Sequence, residues 1–249
     1  MKDGSRKQIR RRKKGGLIAV ETHCHTQQSS LRCGKVDARS VVRDYAAAGY
    51  RQLITTDHYY ARLWEREELA GKTWEERIEV FCAGYEAARD EGKKCGVNVL
   101  FAAEIQFDGT APYDFLVYGM DKRFLLAHPY LNRMRPEQFY ALARRKGFLV
   151  IHAHPFRKSG QPYLPICYDG MEVYNGHPRH DSHNALAARF AAEHGLILWS
   201  GTDYHQRQDC GRGGLLCPRR ANTMKRFLRS VRRGETELIL TYESEKEGL

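Results

Sequence analysis

Short apolar runs alternate with helical patterns along the chain from residue 17 onward. Runs rich in Val, Ile, Leu and aromatic residues, bounded by turn-forming residues, are typical of buried strands. The predicted strands cover residues 17–22, 52–56, 97–103, 114–118, 148–151, 171–174, 196–199 and 237–241. Most of these strands are followed by a helical segment, which is the sequence pattern of parallel β/α units.

Capping residues mark the ends of the predicted helices. These helices cover residues 38–48, 73–91, 136–146, 182–194 and 222–233. Asp37 is a favourable N-cap for the first helix, and Pro136 suits the first turn of the third. Gly49, Gly92 and Gly147 stand where glycine commonly ends a helix. The alternation predicts an α/β fold that forms one barrel-like domain.

The length and composition fit one barrel domain without a membrane segment. A chain of 249 residues can bury one large core, and we predict a single domain over residues 17–249. The sequence has no apolar run of about 18 residues and no apolar N-terminal stretch, which argues against a membrane span and a secretory signal. Seven cysteines without a Cys-x-x-Cys pair favour reduced thiols and a cytoplasmic location.

Basic residues are concentrated near the N-terminus. The net charge is +11, and residues 1–14 contribute +7 of it. We predict that residues 1–16 form a basic, disordered arm, which is suited to binding polyanions without sequence preference. Residues 219–233 form a second, amphipathic basic segment. The charge alone identifies no partner, although it leaves nucleic acid open as one.

Histidines and acidic residues stand at the carboxyl ends of the predicted strands. Because the carboxyl ends of parallel barrel strands converge on one face, side chains at these positions should meet at one mouth. We therefore predict a multinuclear metal site on this face. Its predicted ligands are His23, His25, His58, Glu104, His154, Asp203 and His205.

The spacing of the ligands supports this prediction. His23 and His25 are two residues apart, as are Asp203 and His205, so each pair points to one side of an extended chain. A mixed set of imidazoles and carboxylates suits Zn, Mn or Fe better than Mg or Ca. His152 is expected to pack inside the barrel. Ordinary hydrogen-bonded histidines are expected at His177, His180, His183 and His194.

Five short motifs stand in order within residues 17–210. They are His23-Cys24-His25-Thr26, Thr56-Asp57-His58, Ala103-Glu104, His154-Pro155 and Thr202-Asp203-Tyr204-His205. In this order they resemble the motifs of the PHP superfamily, the polymerase and histidinol phosphatase domain. The resemblance implies a distorted (β/α)7 TIM-like barrel with up to three metal ions. It also implies hydrolysis of phosphomonoesters or phosphodiesters, or a nuclease or proofreading role.

The resemblance further implies how the ligands divide among the metal ions. It assigns the first metal to His23, His25, Glu104 and Asp203, the second to Glu104 and His154, and the third to His58 and His205. Asp57 would be a catalytic residue that handles protons or supports the site, and not a ligand.

Two positions depart from the family pattern. Members with a full third site often carry His or Asp where this chain has Ser30 and Leu31. A histidine is usual after the fourth strand, and here either Asp121 or His128 could take its place. We therefore expect two to three divalent metal ions, Zn, Mn or Fe, with the third weakly bound or absent.

Cationic and polar residues near the predicted mouth are candidates for binding substrate. Arg157 lies three residues after His154, and a guanidinium grips phosphate through two parallel hydrogen bonds. We predict a catalytic and substrate-binding role for Arg157. The further candidates are Asn175, Arg179, His180 and Arg212. Glu172 is expected either to orient a ligand histidine or to pair with an arginine.

Two further segments could surround the mouth. The Gly- and Arg-rich residues 206–217 are a candidate lid. Tyr59, Tyr60 and Trp64 either form an aromatic wall or, as is simpler for Trp64, pack in the core.

Together these predictions favour a metal-dependent phosphoesterase in which a metal-activated water attacks phosphorus. A phosphomonoester of a small molecule is the simplest substrate. A nuclease is the alternative suggested by the basic segments. A metal-binding module without catalysis and a metal-dependent amidohydrolase are further alternatives, although the family resemblance favours phosphorus over carbon.

Overall fold

Nine strands of the computed structural model form one sheet that curls into a barrel. The structure describes residues 16–30, 33–158 and 160–241. The strands are β1 Leu17–Glu21, β2 Gln52–Tyr59, β3 Asn98–Ile105, β4 Asp114–Tyr118, β5 Leu149–Ala153, β6 Gly170–Asn175, β7 Ile197–Gly201, β8 Gly214–Pro218 and β9 Glu237–Ile239. The predicted basic arm, apart from Gly16, and Leu31 lie outside the described residues.

The helices largely follow the predicted pattern. They are α1 Ala38–Ala47, α2 Ala61–Trp64, α3 Trp74–Cys95, α4 Lys122–Ala127, α5 Pro136–Lys146, α6 Asn184–Glu193 and α7 Met224–Arg232. Asp37 caps α1 by accepting the N–H of Arg39, and Gly147 ends α5 with a φ of 74°. Among the described residues, no helix combines the length and the apolar character needed to span a bilayer.

Gly92 does not end the second predicted helix. Helix α3 begins with a capping box between Thr73 and Glu76 and continues to Cys95, where Gly96 ends it with a φ of 67°. A Cβ atom on Gly92 would lie 2.4 Å from the Val97 carbonyl oxygen. Gly92 therefore allows α3 to pack against the chain that follows, and the predicted end at residue 91 is wrong.

Strand β4 runs against its neighbours. Strands β1, β2 and β3 are parallel, as are β5, β6 and β7, but β4 is antiparallel to both β3 and β5. Residues 106–113 join β3 to β4 without a helix, and a connection this short cannot return the chain for a parallel strand. Asp114, the first residue of β4, therefore lies at the end of the barrel where β3 finishes.

The sheet closes at the end where the parallel strands finish. Cys24 and Tyr204 form a parallel bridge, in which His25 N donates to Tyr204 O (3.1 Å) and Tyr204 N donates to His23 O (3.2 Å). This bridge joins the chain after β1 to the chain after β7, so β1 to β7 form a nearly closed barrel. The predicted distorted (β/α)7 TIM-like barrel is confirmed, with β8 and β9 as additional strands.

The candidate lid contains a strand. Gly214–Pro218 forms β8, which is antiparallel to β1, and Leu215 and Cys217 are buried. A Cβ atom on Gly213 would lie 2.4 Å from the backbone of Gly201, the last residue of β7. Glycine is therefore needed here for close packing and not for flexibility, and the lid prediction is wrong for residues 214–217.

Aromatic side chains fill the barrel interior, and α7 closes one of its ends. Trp199 Nε1 donates to the hydroxyl oxygen of Tyr118 (3.0 Å), and Phe227 of α7 packs against both rings. Arg232 of α7 donates to the carbonyl oxygen of Phe148 (2.9 Å), directly before β5 begins. Helix α7 therefore lies at the amino ends of the parallel strands, opposite the predicted mouth.

Candidate metal centre

The seven predicted ligands come together at the barrel mouth, where they are buried or half-buried. His23 Nε2 and His25 Nε2 lie 3.1 Å apart, and Asp203 Oδ1 lies 3.4 and 3.3 Å from them. Glu104 Oε1 lies 3.6 Å from His23 Nε2. Four side chains from three distant stretches of the sequence thus direct nitrogen and oxygen atoms into one small volume.

Glu104 connects this group to two further histidines. Its Oε1 lies 3.1 Å from His154 Nε2, and its Oε2 lies 2.8 Å from His58 Nδ1. The ring of His205 stands beside that of His25, with centroids 4.5 Å apart. A carboxylate with imidazoles at both oxygens is placed to bridge two cations.

Two of the predicted ligands occupy strained backbone positions. His154 and Asp203 have φ values of 28° and 57°, and neither is glycine. Such conformations cost about 1–3 kcal/mol and persist where the surrounding structure enforces them, often at functional sites. Each residue lies within two positions of the end of β5 or β7, so the strain accompanies the turn from the strand into the mouth.

Glu172 orients His23 and supports the turn at His154. Its Oε1 lies 2.8 Å from His23 Nδ1, and its Oε2 accepts the N–H of His154 (2.9 Å) and the amide of Asn175 (3.0 Å). Because a carboxylate only accepts, His23 carries a proton on Nδ1, so in the neutral ring Nε2 is the nitrogen that can bind a cation. These contacts favour the first interpretation of Glu172, as the residue that orients a histidine.

Glu21 organises the backbone around the centre, although sequence reasoning missed it. Its Oε1 accepts the N–H groups of His23 (2.8 Å) and Thr202 (3.0 Å), and its Oε2 accepts the hydroxyl of Tyr45 (2.6 Å). Burial raises the pKa of Glu21, while these hydrogen bonds act in the opposite direction. An acidic residue inside the apolar run 17–22 was the sequence signal that could have found it.

Asp57 holds the loop that follows His25. Its Oδ1 accepts the N–H of Thr26 (2.7 Å) and the hydroxyl of Ser30 (2.8 Å), and its Oδ2 accepts the hydroxyl of Thr26 (2.8 Å). Burial raises the pKa of Asp57 to about 6, against the effect of these hydrogen bonds. Asp57 is not in any of the potential ligand groups of the described residues, so its contacts fit a supporting role.

Arg157 reaches the centre through Asp203. Its Nη1 lies 2.7 Å from Asp203 Oδ2, and its Nη2 donates to Asn175 Oδ1 (2.6 Å) and Ser182 Oγ (3.1 Å). The side chain is 9% exposed. The amide oxygen of Asn175 accepts from Arg157 and its amide nitrogen donates to Glu172, so Asn175 positions the guanidinium of Arg157. Substrate binding by Asn175 stays a prediction.

Arg179 and Arg212 make other contacts at the rim. Arg179 pairs with Asp209 (Nη2 to Oδ2, 2.7 Å), and Asp209 in turn accepts the N–H of His205 (3.0 Å). Arg212 Nε donates to the carbonyl oxygen of Gly176 (2.9 Å). Arg179 thus braces the turn that carries His205, and substrate binding by either arginine stays a prediction.

Asp114 lies at the centre, whereas Asp121 and His128 do not. Asp114 Oδ2 lies 3.9 Å from His154 Nε2, and Asp114 forms a potential ligand group with Glu104 and His154. Asp121 instead caps α4, and His128 Nδ1 contacts a carbonyl oxygen of the same helix. The prediction for Asp121 and His128 is wrong because β4 is antiparallel, which places the residues after it at the opposite end of the barrel.

Cys33 also joins the centre, and sequence reasoning passed over it. Its sulfur lies with ring nitrogens of His25, His58 and His205 in a group whose atoms are all within 4.8 Å of one another. Burial raises the pKa of Cys33, but the nearby His58 and His205 outweigh burial and lower this pKa to about 6.

The remaining histidines and aromatic residues have separate environments. His152 is buried, but the prediction that it packs inside the barrel is wrong, because Ile151 and Ala153 face the interior and His152 faces the opposite side of β5. There it packs against Phe115 and Tyr168, and its Nε2 accepts the N–H of Tyr163 (3.0 Å). His177 is buried and forms a potential ligand group with Asp203 and His205, so it lies closer to the centre than expected. The other three histidines that were expected to be ordinary hydrogen-bonded residues, His180, His183 and His194, are exposed. Tyr59 and Trp64 are core residues, and Tyr60 stands against the ring of His58.

The buried polar atoms of the centre suit divalent cations. Burial lowers the pKa of His25 well below its usual value, and His58 and His205 lower it further. Glu104 Oε2 is buried and accepts no hydrogen bond of good geometry, although His58 Nδ1 lies 2.8 Å away. Facing ring nitrogens and carboxylate oxygens with unused lone pairs form the donor set that divalent transition metals take. The residues present therefore fit divalent metal ions.

No family model and no curated protein matches the chain. Solved structures do share its fold. A two-domain protein from Bacteroides vulgatus, which contains a predicted PHP-like metal-dependent phosphoesterase, matches with a TM-score of 0.64 and 17% identity. The match covers 90% of this chain, and the chain spans 65% of that protein.

Two other structures match over most of this chain. PsfC from Pseudomonas syringae PB-5123 has a TM-score of 0.62 and 16% identity, with 93% of this chain and 94% of PsfC covered. The lesion-specific endonuclease PfuEndoQ from Pyrococcus furiosus has a TM-score of 0.59 and 13% identity, with 90% of this chain and 58% of the endonuclease covered. The fold expected from the sequence resemblance is therefore the fold of this chain.

Proposed function

We propose that this chain is a metal-dependent hydrolase of phosphate esters belonging to the PHP superfamily. The observation that carries the proposal is the convergence of His23, His25, Glu104 and Asp203. The nitrogens of the two histidines lie 3.1 to 3.6 Å from each other and from the carboxylate oxygens. Side chains that share one cation adopt such spacings, and the fold shared with a PHP-like protein and an endonuclease supports phosphorus chemistry.

The proposed ligands are the predicted set with one addition. They are His23, His25, His58, Glu104, Asp114, His154, Asp203 and His205. When bound, divalent ions at such a site supply a nucleophile at neutral pH and offset negative charge on the phosphoryl oxygens.

The chain itself fixes two of these histidines in a binding-competent form. His23 donates its Nδ1–H to Glu172 (2.8 Å), and His205 donates its Nδ1–H to the backbone oxygen of Asp203 (2.8 Å). In the neutral imidazole, each Nε2 is therefore the unprotonated nitrogen that can bind a cation. This orientation is set by the protein, so binding requires little rearrangement.

Arg157 is the proposed phosphate-binding residue. It contacts Asp203 at the centre and is held from behind by Asn175 and Ser182. A guanidinium in this place donates to phosphoryl oxygens and stabilises the charge that develops on them. We assign Asn175 to positioning Arg157, and Asp57 to supporting the loop that follows His25.

A small phosphomonoester is the proposed substrate. The exposed basic residues Lys225, Arg226 and Arg229 lie on α7. Because α7 closes the barrel end opposite the centre, these residues are not placed to guide a polynucleotide into the mouth. Hydrolysis of a nucleic acid is the alternative, in view of the fold shared with PfuEndoQ.

The test is a panel of substrates with and without metal. We expect p-nitrophenyl phosphate to be hydrolysed with Mn²⁺ or Zn²⁺, and the activity to disappear on chelation and return with metal. Bis(p-nitrophenyl) phosphate, single-stranded RNA and single-stranded DNA serve as diester substrates, and their preferential hydrolysis would favour the nuclease.

A matched pair of variants checks that the centre is responsible. Glu104→Gln should abolish the activity, whereas Glu193→Gln, at the exposed end of α6, should retain it. Turnover that survives chelation, or an active Glu104→Gln variant, would contradict the proposed metal mechanism.

A further inference from the structure

The thiol of Cys33 lies among imidazoles at the edge of the candidate metal centre. Its sulfur and one ring nitrogen each of His25, His58 and His205 lie within 4.8 Å of one another. A zinc ion lies about 2.3 Å from a thiolate sulfur and about 2.1 Å from an imidazole nitrogen. In the tetrahedral coordination that zinc adopts, such ligands are about 3.4–3.6 Å apart, a separation that lies within the 4.8 Å limit of this group. The four atoms thus surround a volume of the size that one ion needs.

Backbone contacts hold Cys33 in this place. Lys35 N donates to the carbonyl oxygen of His205 (2.9 Å), which ties the loop to a residue of the same group. Gly34 packs so closely that a Cβ atom there would lie 2.6 Å from the Thr26 carbonyl oxygen. The loop therefore presents the thiol at a fixed position relative to His205.

The environment of Cys33 differs from that of the other cysteines. Cys33 is half-buried and its sulfur has a weak contact with the Ser30 carbonyl oxygen at 3.7 Å. Among the cysteines of the described residues, Cys33 is the one that belongs to a potential ligand group. Ordinary core packing explains a buried thiol such as Cys217, but it does not explain a thiol surrounded by imidazole nitrogens.

We propose that Cys33 is a metal ligand and forms, with His58 and His205, a thiolate–imidazole site that selects zinc over manganese. This inference rests on the proposed function, because it requires a metal-loaded centre. Soft thiolate ligands favour Zn²⁺, whereas Mn²⁺ prefers oxygen ligands. His25 is not assigned to this site as a ligand, because its Nε2 lies 3.1 Å from His23 Nε2 and belongs to the first group of proposed ligands.

The experiment compares metal binding in the wild type, Cys33→Ser and Cys33→Asp. Cys95→Ser is the matched control, since Cys95 is also half-buried but ends α3 outside the ligand groups. After equilibration with Zn²⁺ and Mn²⁺ together, metal content is measured by mass spectrometry. We expect Cys33→Ser to lose one equivalent of zinc, Cys33→Asp to exchange it for manganese, and Cys95→Ser to match the wild type.

Cobalt substitution gives a readout that does not depend on activity. A thiolate bound to Co²⁺ produces a charge-transfer absorption in the near ultraviolet, which we expect in the wild type and in Cys95→Ser but not in Cys33→Ser. Absence of this band in the cobalt-loaded wild type, or equal zinc content in all the proteins, would overturn the role of Cys33 and leave the hydrolase proposal standing. A wild type that binds no metal would overturn both.

Discussion

At the scale of single residues, the centre depends on carboxylates that face away from the proposed metal positions. Glu172 accepts hydrogen bonds from His23, the His154 backbone and Asn175, while Glu21 accepts them from the backbone on both sides of the mouth. Apart from the contact with Asn175, which positions Arg157, each of these contacts holds a proposed ligand or the residue directly before one. Removing such a carboxylate leaves several buried donors without an acceptor, which costs about 1–3 kcal/mol for each donor.

We expect Glu172→Gln to weaken metal binding about 10–100-fold, the usual effect of losing a partner that orients a ligand. The neutral amide has one acceptor oxygen in place of two, so it cannot serve both His23 Nδ1 and the N–H of His154. Competition with a chromophoric chelator measures the affinity. Glu193→Gln is the control on the protein surface, and a Glu172→Gln variant that binds metal as tightly as the wild type would refute this role.

The predictability of the centre also differs from residue to residue. Seven ligands could be predicted because they stand at strand ends, where the direction of a side chain follows from its position. Cys33 lies in a loop, where spacing gives no direction. Asp114 begins β4, and the sequence pattern does not reveal the direction of that strand. The role of Glu21 was overlooked because Glu21 stands in an apolar run, and a buried strand normally carries no charged residue.

At the scale of elements, helix α3 and the loop after His25 are fitted to each other. Gly84 lies in the middle of α3, where alanine normally stabilises a helix by about 1 kcal/mol. Here a Cβ atom would lie 2.0 Å from Thr26 Oγ1, and that hydroxyl donates to Asp57 Oδ2 (2.8 Å). The glycine therefore allows the loop to rest on the helix.

We expect Gly84→Ala to destabilise the protein by about 1–3 kcal/mol, the usual cost of overpacking, despite the gain in helix propensity. The displaced loop should also weaken metal binding. Urea unfolding and a metal titration measure the two effects. The neighbouring Ala83→Gly should lose about 1 kcal/mol of helix stability and leave metal binding unchanged. A higher unfolding midpoint for Gly84→Ala would contradict the proposed fit.

The elements were easier to predict than their directions. All eight predicted strands exist, because buried runs and capping residues are local signals. The antiparallel direction of β4 depends on a connection without a helix, and local patterns do not report it. Strand β8 was missed because Gly213 and Gly214 are typical of a flexible loop, whereas here they allow contact with β7 and β1.

At the scale of the whole molecule, the two ends of the barrel have different chemistry. The mouth gathers buried histidines and carboxylates with Arg157 at their edge, while α7 presents Lys225, Arg226 and Arg229 at the opposite end. The sequence revealed both sets, but only the fold shows that they are separated by the barrel. A phosphate ester bound at the mouth therefore does not meet the basic helix.

This separation predicts that the basic helix can be neutralised without loss of phosphomonoesterase activity. The triple variant Lys225→Gln, Arg226→Gln and Arg229→Gln should keep kcat/KM for p-nitrophenyl phosphate, while Arg157→Lys should lower it about 100-fold through loss of its paired donors. If the protein binds RNA, the triple variant should bind it more weakly and with a shallower salt dependence. A tenfold loss of kcat/KM in the triple variant would show that α7 communicates with the mouth. An unchanged kcat/KM in the triple variant would instead mean that a polyanion bound to α7 occupies a surface separate from the site of ester hydrolysis.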